Sequence, residues 1–285
     1  MTAPALVLHA SHVRVELDCP AWCAAALGAV YAPARRPLVP ARTVTRWEGR
    51  LEAGGYAFFV DGAPVSAGPG DAVTLTGVLE THFITQLTAW HPDACLLHAA
   101  LVELDGAWIL LAGDSGRGKS SLCLEVTRRG GRYFTDELVV TDSRHVWAVG
   151  RTPVFDFGPA DAPLPPWLEG ADRESYRYAR PDGQAWARPL FAVPEAQWAR
   201  EPVPVADLAV VALLGRGEDS VVPRTAGEAL ATLLDASLTR EWRQLGPLAA
   251  GRRSFGISWA SPAVAIDRLR DATRPLAGRP SGSDR

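Results

Sequence analysis

The sequence predicts an α/β fold: a phosphate-binding-loop core with a mixed sheet, preceded by a small β-rich region. Three observations predict it. First, Gly113-Asp114-Ser115-Gly116-Arg117-Gly118-Lys119-Ser120-Ser121 fits G-x-x-x-x-G-K-[ST], a loop whose backbone N–H groups cradle phosphates while the lysine reaches the terminal ones. Second, the loop follows an apolar strand-like run at 107–112 and precedes a helix at 121–129 closed by Gly130-Gly131, the order that aims a helix N-terminus at an anion. Third, alternating strand patterns dominate the first 70 residues, whereas apolar strands and helical stripes interleave after them.

Bulk properties narrow the function classes. With 285 residues, 47% hydrophobic and 21% charged, the chain has ample core for a soluble globular protein. A net charge of −3 supplies no global attraction to nucleic acid or an anionic membrane. No run approaches the ~20 apolar residues of a membrane helix. Cys19 and Cys23 lack a second ligand pair, which argues against zinc, and the cysteine usage suits a reducing, cytoplasmic setting. Of 29 Lys+Arg residues only Lys119 is a lysine, consistent with a place where a flexible point charge is wanted.

The elements follow in order. Residues 13–17, 43–47 and 56–60 alternate as strands, and Asp61-Gly62 turns the last into 64–66 as a hairpin. Residues 21–31 read as a short helix, and Pro33, Pro37 and Pro40 mark an irregular link. From 71 to 90 the period becomes helical, with Val73, Leu75, Val78, Leu79, Phe83, Ile84 and Leu87 on one stripe and His82 at its boundary. Residues 96–104 form a strand that Asp105-Gly106 turns directly into the strand carrying the loop. A two-residue turn pairs Leu104 with Ala107 and so sets His98 opposite Gly113.

After Lys119 a helix of about eleven residues descends roughly 16 Å, and a strand at 132–135 returns roughly 13 Å. Asp136 and Glu137 therefore come back to the level of the phosphates on an adjoining strand, suited to one carboxylate for Mg²⁺ and one as base or water-positioner. Residues 138–141 and 146–149 form a strand pair around Asp142-Ser143. The stretch 153–204 reads as irregular; it and its flanks hold Arg151, Arg173, Arg177, Arg180, Arg188 and Arg200, candidates for clamping a phosphoryl group in a loop that covers the site. A strand at 206–214 ends at Gly215-Arg216-Gly217, a helix runs from Thr225 to Leu238, and a strand at 254–259 and a helix at 263–272 follow. The expected organisation is a β-rich N-terminal region over 1–90 ending in the amphipathic helix, a catalytic domain over 91–272 and a disordered tail over 273–285.

The run from His98 to Thr141 resembles the catalytic domain of HPr kinase/phosphorylase: a His-led strand, a short turn, a strand into G-D-S-G-x-G-K-S, a helix ending in a basic-Gly pair, then adjacent acids. The resemblance implies a P-loop kinase core of the HPr kinase/PEP carboxykinase type, with ATP and Mg²⁺ as cofactors. It implies Asp136 as base for the acceptor hydroxyl, His98 and Lys119 in the catalytic site, and Ser120 with Glu137 on the metal. It also implies a homo-oligomer. The family's usual acid pair is two aspartates where this chain has Asp136-Glu137. Its first 90 residues and its lack of the family's later signature make it more similar to the short peptide-serine kinases of peptide-modification clusters, lasso-peptide clusters among them. The expected activity is transfer of the γ-phosphoryl group of ATP to a serine or threonine hydroxyl of a peptide or protein. Its rivals are a small-molecule kinase acting on free serine and a non-catalytic nucleotide-binding regulatory module.

Overall fold

The computed structural model describes residues 4–10, 12–35, 40–65, 70, 72–153, 173–179, 185–191, 193–215, 220–239 and 242–273. The N-terminal unit comprises β1 (Leu6–Ala10), β2 (Val13–Asp18), α1 (Ala21–Val30), β3 (Thr43–Glu52), β4 (Gly55–Val60), β5 (Ala63–Pro64) and α2 (Ala72–Trp90). Its five strands lie in chain order in one sheet. β2 and β3 are parallel, which requires a crossover, and α1 supplies it. The Asp61-Gly62 turn has positive φ at both residues, 47° and 84°, as a two-residue hairpin of type I′ demands. On α2 the expected stripe is buried at Leu75, Leu79, Phe83 and Leu87. β1 is an addition to the predicted strands.

Among the described residues the rest of the chain builds three further sheets, of six, four and two strands. Its elements are β6 (Cys95–Leu97), β7 (Ala99–Leu104), β8 (Ala107–Ala112), α3 (Lys119–Arg128), β9 (Arg132–Thr135), β10 (Val139–Thr141), β11 (His145–Ala148), β12 (Arg173–Ala179), β13 (Ala185–Phe191), β14 (Val203–Pro204), β15 (Leu208–Leu214), β16 (Ser220–Arg224), α4 (Ala226–Asp235), α5 (Trp242–Ala249), β17 (Arg253–Ser258) and α6 (Pro262–Thr273). The six-stranded sheet has the order β16-β17-β15-β8-β7-β9, and a four-stranded sheet has the order β14-β11-β10-β6. In the larger sheet β15 runs parallel to both β8 and β17, while β7 and β16 are antiparallel to their partners. The fold is thus α/β with a mixed sheet, as predicted.

Burial alternates with the two-residue period of the strands. On β8, Ile109 and Leu111 pack with Leu122 and Val126 of α3 and Ile266 and Leu269 of α6. Leu110 and Ala112 face the other way, toward Leu233 of α4 and Leu245 and Leu248 of α5. The four-stranded sheet repeats the device: Leu97 and Val139 join that second core, whereas Leu96 and Val140 join the core of the N-terminal unit with Leu79, Phe83 and Leu87. The N-terminal core therefore continues past residue 90 into the sheet beside the phosphate loop.

Several segments differ from the sequence reading. The strand expected over 96–104 breaks at His98. There the His98 N–H donates to the Ala236 carbonyl at 2.8 Å, and the chain leaves β10, the partner of β6, for β8 and β9, the partners of β7. The stretch 153–204 is not all irregular, because β12 and β13 pair over seven residues; Arg180 lies outside the described residues. The helix from Thr225 ends at Asp235, and α5 is a separate helix. Its start fits the pattern: Thr225 and Glu228 form a complete capping box. Arg216, Gly217 and the tail from 274 lie outside the described residues.

Candidate active site

The hairpin register came out as the turn chemistry dictates. Leu104 pairs with Ala107 and Ala99 with Ala112, across a turn with φ of 50° at Asp105 and 82° at Gly106. His98 and Gly113 are the next residues on each strand. The loop then closes on Gly118, whose left-handed backbone (φ 88°, ψ 21°) precedes the first residue of α3. A Cβ there would lie 2.6 Å from Cζ2 of Trp259, so only glycine fits both the conformation and the space. No side chain caps α3, which leaves the first-turn amides of the helix pointing out of its end toward the loop.

Lys119 is buried. Its Nζ donates to the carbonyls of Gly113 at 2.8 Å and Asp114 at 3.2 Å, and burial lowers its pKa. Asp114 and Arg117 pair across the outer rim at 3.1 Å, and Ser115 and Gly116 are exposed. The Ser120 side chain lies close enough to Asp136 to lower its pKa. The far end of the loop and the first acid are therefore neighbours.

The acids reach this point from β9, which pairs with β7 rather than β8. β7 thus lies between the loop's strand and the acids' strand, a correction to the adjoining-strand expectation. Asp136 is 3% exposed. Burial and the neighbouring Glu137 raise its pKa against the pull of Ser120, Arg151 and Tyr133. The Tyr133 hydroxyl lies 2.8 Å from Asp136 Oδ1 and 2.9 Å from the Arg151 carbonyl. A phenol has one proton. With Asp136 ionised it serves one oxygen at a time; with Asp136 protonated both contacts are satisfied, the acid donating to the phenol and the phenol to the carbonyl.

Glu137 has a different neighbour. Arg151 pairs through Nη1 with Glu137 Oε2 and through Nη2 with Glu80 Oε1 of α2. The guanidinium is buried, and the pocket beside it is lined by Tyr31, Phe83, Ile84 and Leu87. Burial works against its charge, but Glu137 and Glu80 hold its pKa well above the ordinary value. His98 sits within reach of the same field: burial first, then the charge of Lys119, lowers its pKa, so its imidazole is neutral at pH 7. Lys119, Ser120, Asp136, Glu137 and His98 are thus brought to one place, with Asp114 and Ser115 at the rim.

The geometry invites comparison with known proteins. No family model matches the chain. An HPr kinase/phosphorylase of Clostridium beijerinckii is 34% identical over 87 residues, 29% of this chain and 29% of that protein. One of Limosilactobacillus reuteri is 46% identical over 48 residues, 17% and 15% of the respective chains. Over these segments the chain is HPr kinase/phosphorylase-like. It spans 29% of the length of the first of these relatives. Among solved structures, the HPr(Ser) kinase/phosphatase from Coxiella burnetii aligns with 62% of this chain and 93% of that one, at 10% identity and a TM-score of 0.31.

The residues fit a magnesium ion in kind. The donors gathered here, Ser120, Asp136 and Glu137, offer oxygen only, the choice of a hard cation. Among the described residues no group of three or more His, Cys, Asp or Glu forms a metal cluster. The four cysteines are buried and free. Among the described residues no helix is long and apolar enough to cross a membrane.

Sequence reasoning missed Tyr133 and Glu80, and named Arg151 only as one of several arginines. One signal was available for Glu80. It falls three residues before Phe83 and four before Ile84, which puts a carboxylate on the apolar face of α2.

Proposed function

We propose that the protein is an ATP-dependent kinase that transfers the γ-phosphoryl group to a serine or threonine hydroxyl of a peptide or protein. The observation that carries this reading is the nearness of Ser120, at the end of the phosphate loop, to the buried Asp136, whose pKa it lowers. It puts a carboxylate within one side chain of the place where the loop would hold terminal phosphates. The loop amides and Lys119 would bind the β- and γ-phosphates. Ser120 and Glu137 would hold Mg²⁺, which when bound neutralises charge on the transferring group. Asp136 would accept the hydroxyl proton; burial already raises its proton affinity, as a base requires. His98, neutral, would line the acceptor side. The apolar walls around Arg151 strengthen each charge interaction there by excluding water.

The relatives are named HPr kinase/phosphorylase, which favours a protein or peptide acceptor over free serine. Full-length protein incubated with γ-labelled ATP and acceptors of both sizes separates the readings. Label retained above a small-pore filter supports the peptide acceptor, label in the filtrate supports the small molecule, and tight binding without transfer supports a regulatory module. Asp136→Asn should lower kcat by about 10²-fold or more while nucleotide affinity stays within twofold. Near-normal turnover in that variant would remove Asp136 as the base.

A further inference from the structure

We infer that Glu80, Arg151 and Tyr133 form a positioning seam by which the N-terminal unit holds Asp136 and Glu137 in place, so that the site is incomplete without that unit. This rests on the kinase reading above. Arg151 reaches both acids. Its guanidinium pairs with Glu137, and its carbonyl contacts the Tyr133 hydroxyl, which in turn contacts Asp136.

The N-terminal unit in turn grips Arg151 from both sides. Glu80 of α2 takes the second Nη. One residue on, the Thr152 N–H donates to the Val30 carbonyl at 2.7 Å and the Thr152 hydroxyl to the Ala29 carbonyl at 2.8 Å, both at the end of α1. The side chain of Arg151 is 6% exposed and that of Glu137 35%, so the cation is the fixed end of the pair and the acid the end that faces outward.

Charge explains why Glu80 is acidic. Arg151 alone would neutralise Glu137 and blunt it as a metal ligand. Shared with Glu80, one guanidinium serves two carboxylates, and the cluster keeps a net negative charge for a divalent cation. Both Nη groups being engaged and buried, Arg151 is a positioning residue and not a clamp on the phosphoryl group. The Tyr133 branch does the same for Asp136, fixing its carboxyl toward Ser120.

The test uses full-length protein, Mn²⁺ as a spectroscopic stand-in for the metal, and the non-hydrolysable β,γ-imido analogue of ATP. Glu80→Gln keeps an acceptor for Arg151 and removes the charge. It should leave analogue affinity within twofold, weaken Mn²⁺ binding in the analogue complex by about 10- to 100-fold, and lower kcat without raising KM for ATP. Glu80→Asp should recover most of both losses. A merely structural tie would change the melting temperature and neither of these. Should Glu80→Gln fail to fold, Arg151→Lys carries the same measurement, because an ammonium keeps the charge without the fork that spans two carboxylates. Unchanged Mn²⁺ affinity and kcat in a folded variant would overturn the seam and leave the kinase reading standing. Wild-type protein that binds neither analogue nor Mn²⁺ would overturn the kinase reading, and the seam with it.

Discussion

The glycine-rich loop over 113–121 and the acid seam are neighbours at Ser120, yet they are built in opposite ways. The loop is one continuous stretch, open at Asp114, Ser115 and Gly116, and its polar partners are its own backbone carbonyls. The seam is assembled from α2, the end of β9 and the chain after β11, and its buried guanidinium pairs across long sequence distances, with Glu80 over 71 residues. A local site depends on backbone conformation. A seam depends on packing, because a buried charge that loses its partner carries a desolvation cost the rest of the structure must absorb. The two halves should therefore fail differently when damaged: the loop through binding, the seam through stability and geometry.

The largest separation is expected from Lys119→Ala. It should weaken ATP binding and lower transfer by about 10³-fold or more, in line with loss of a charge that acts on the transferring group, while the unfolding midpoint in urea stays close to wild type or rises, since a buried amine is removed. A marked fall in stability would break the distinction. Arg151→Met should show the converse. It leaves Glu80 and Glu137 facing one another, and a cost of about 3 kcal/mol is expected from urea unfolding, the low end for a broken buried pair because Glu137 is partly exposed. Stability within a few tenths of wild type would mean that the seam is not under electrostatic load.

The smallest effect lies at the margin of the N-terminal unit and concerns pH. His91 packs its ring 5.3 Å from that of His12 and 5.7 Å from Trp147. Burial, then the charge of His12, lowers its pKa to about 4. A depressed histidine binds fewer protons folded than unfolded, so its stabilising effect is complete above the unfolded value of about 6.5 and is lost as pH falls toward 4. Burial also lowers the pKa of His9 and His82 in the same unit. The melting temperature should therefore fall by a few °C between pH 7 and pH 5, and His91→Gln should flatten part of that slope. An unchanged slope would place the acid sensitivity elsewhere.

What could be read in advance follows the same divide. The loop, the hairpin before it and the helix after it are set by glycine, by two-residue turns and by strand period, all of which act within a few residues. That is why Leu104 pairs with Ala107 as computed from the turn alone. The break at His98 was not legible, because nothing in residues 96–104 says that two sheets divide them; the Ala236 carbonyl that receives His98 comes from the far end of α4. The hairpin of β12 and β13 was hidden by the Pro, Trp and Arg content of its region.

By itself, then, the sequence determined the α/β class, the glycine-rich strand–loop–helix with its lone lysine, and the return of Asp136 and Glu137 toward it, since each follows from local conformation and chain length. Only the tertiary structure decided that β7 lies between the loop and the acids. It also decided that one acid takes the Tyr133 hydroxyl, while the other shares Arg151 with Glu80. The physical reason is that pairing of buried charges is chosen by which groups packing leaves without water, and that choice is made between segments far apart in the chain.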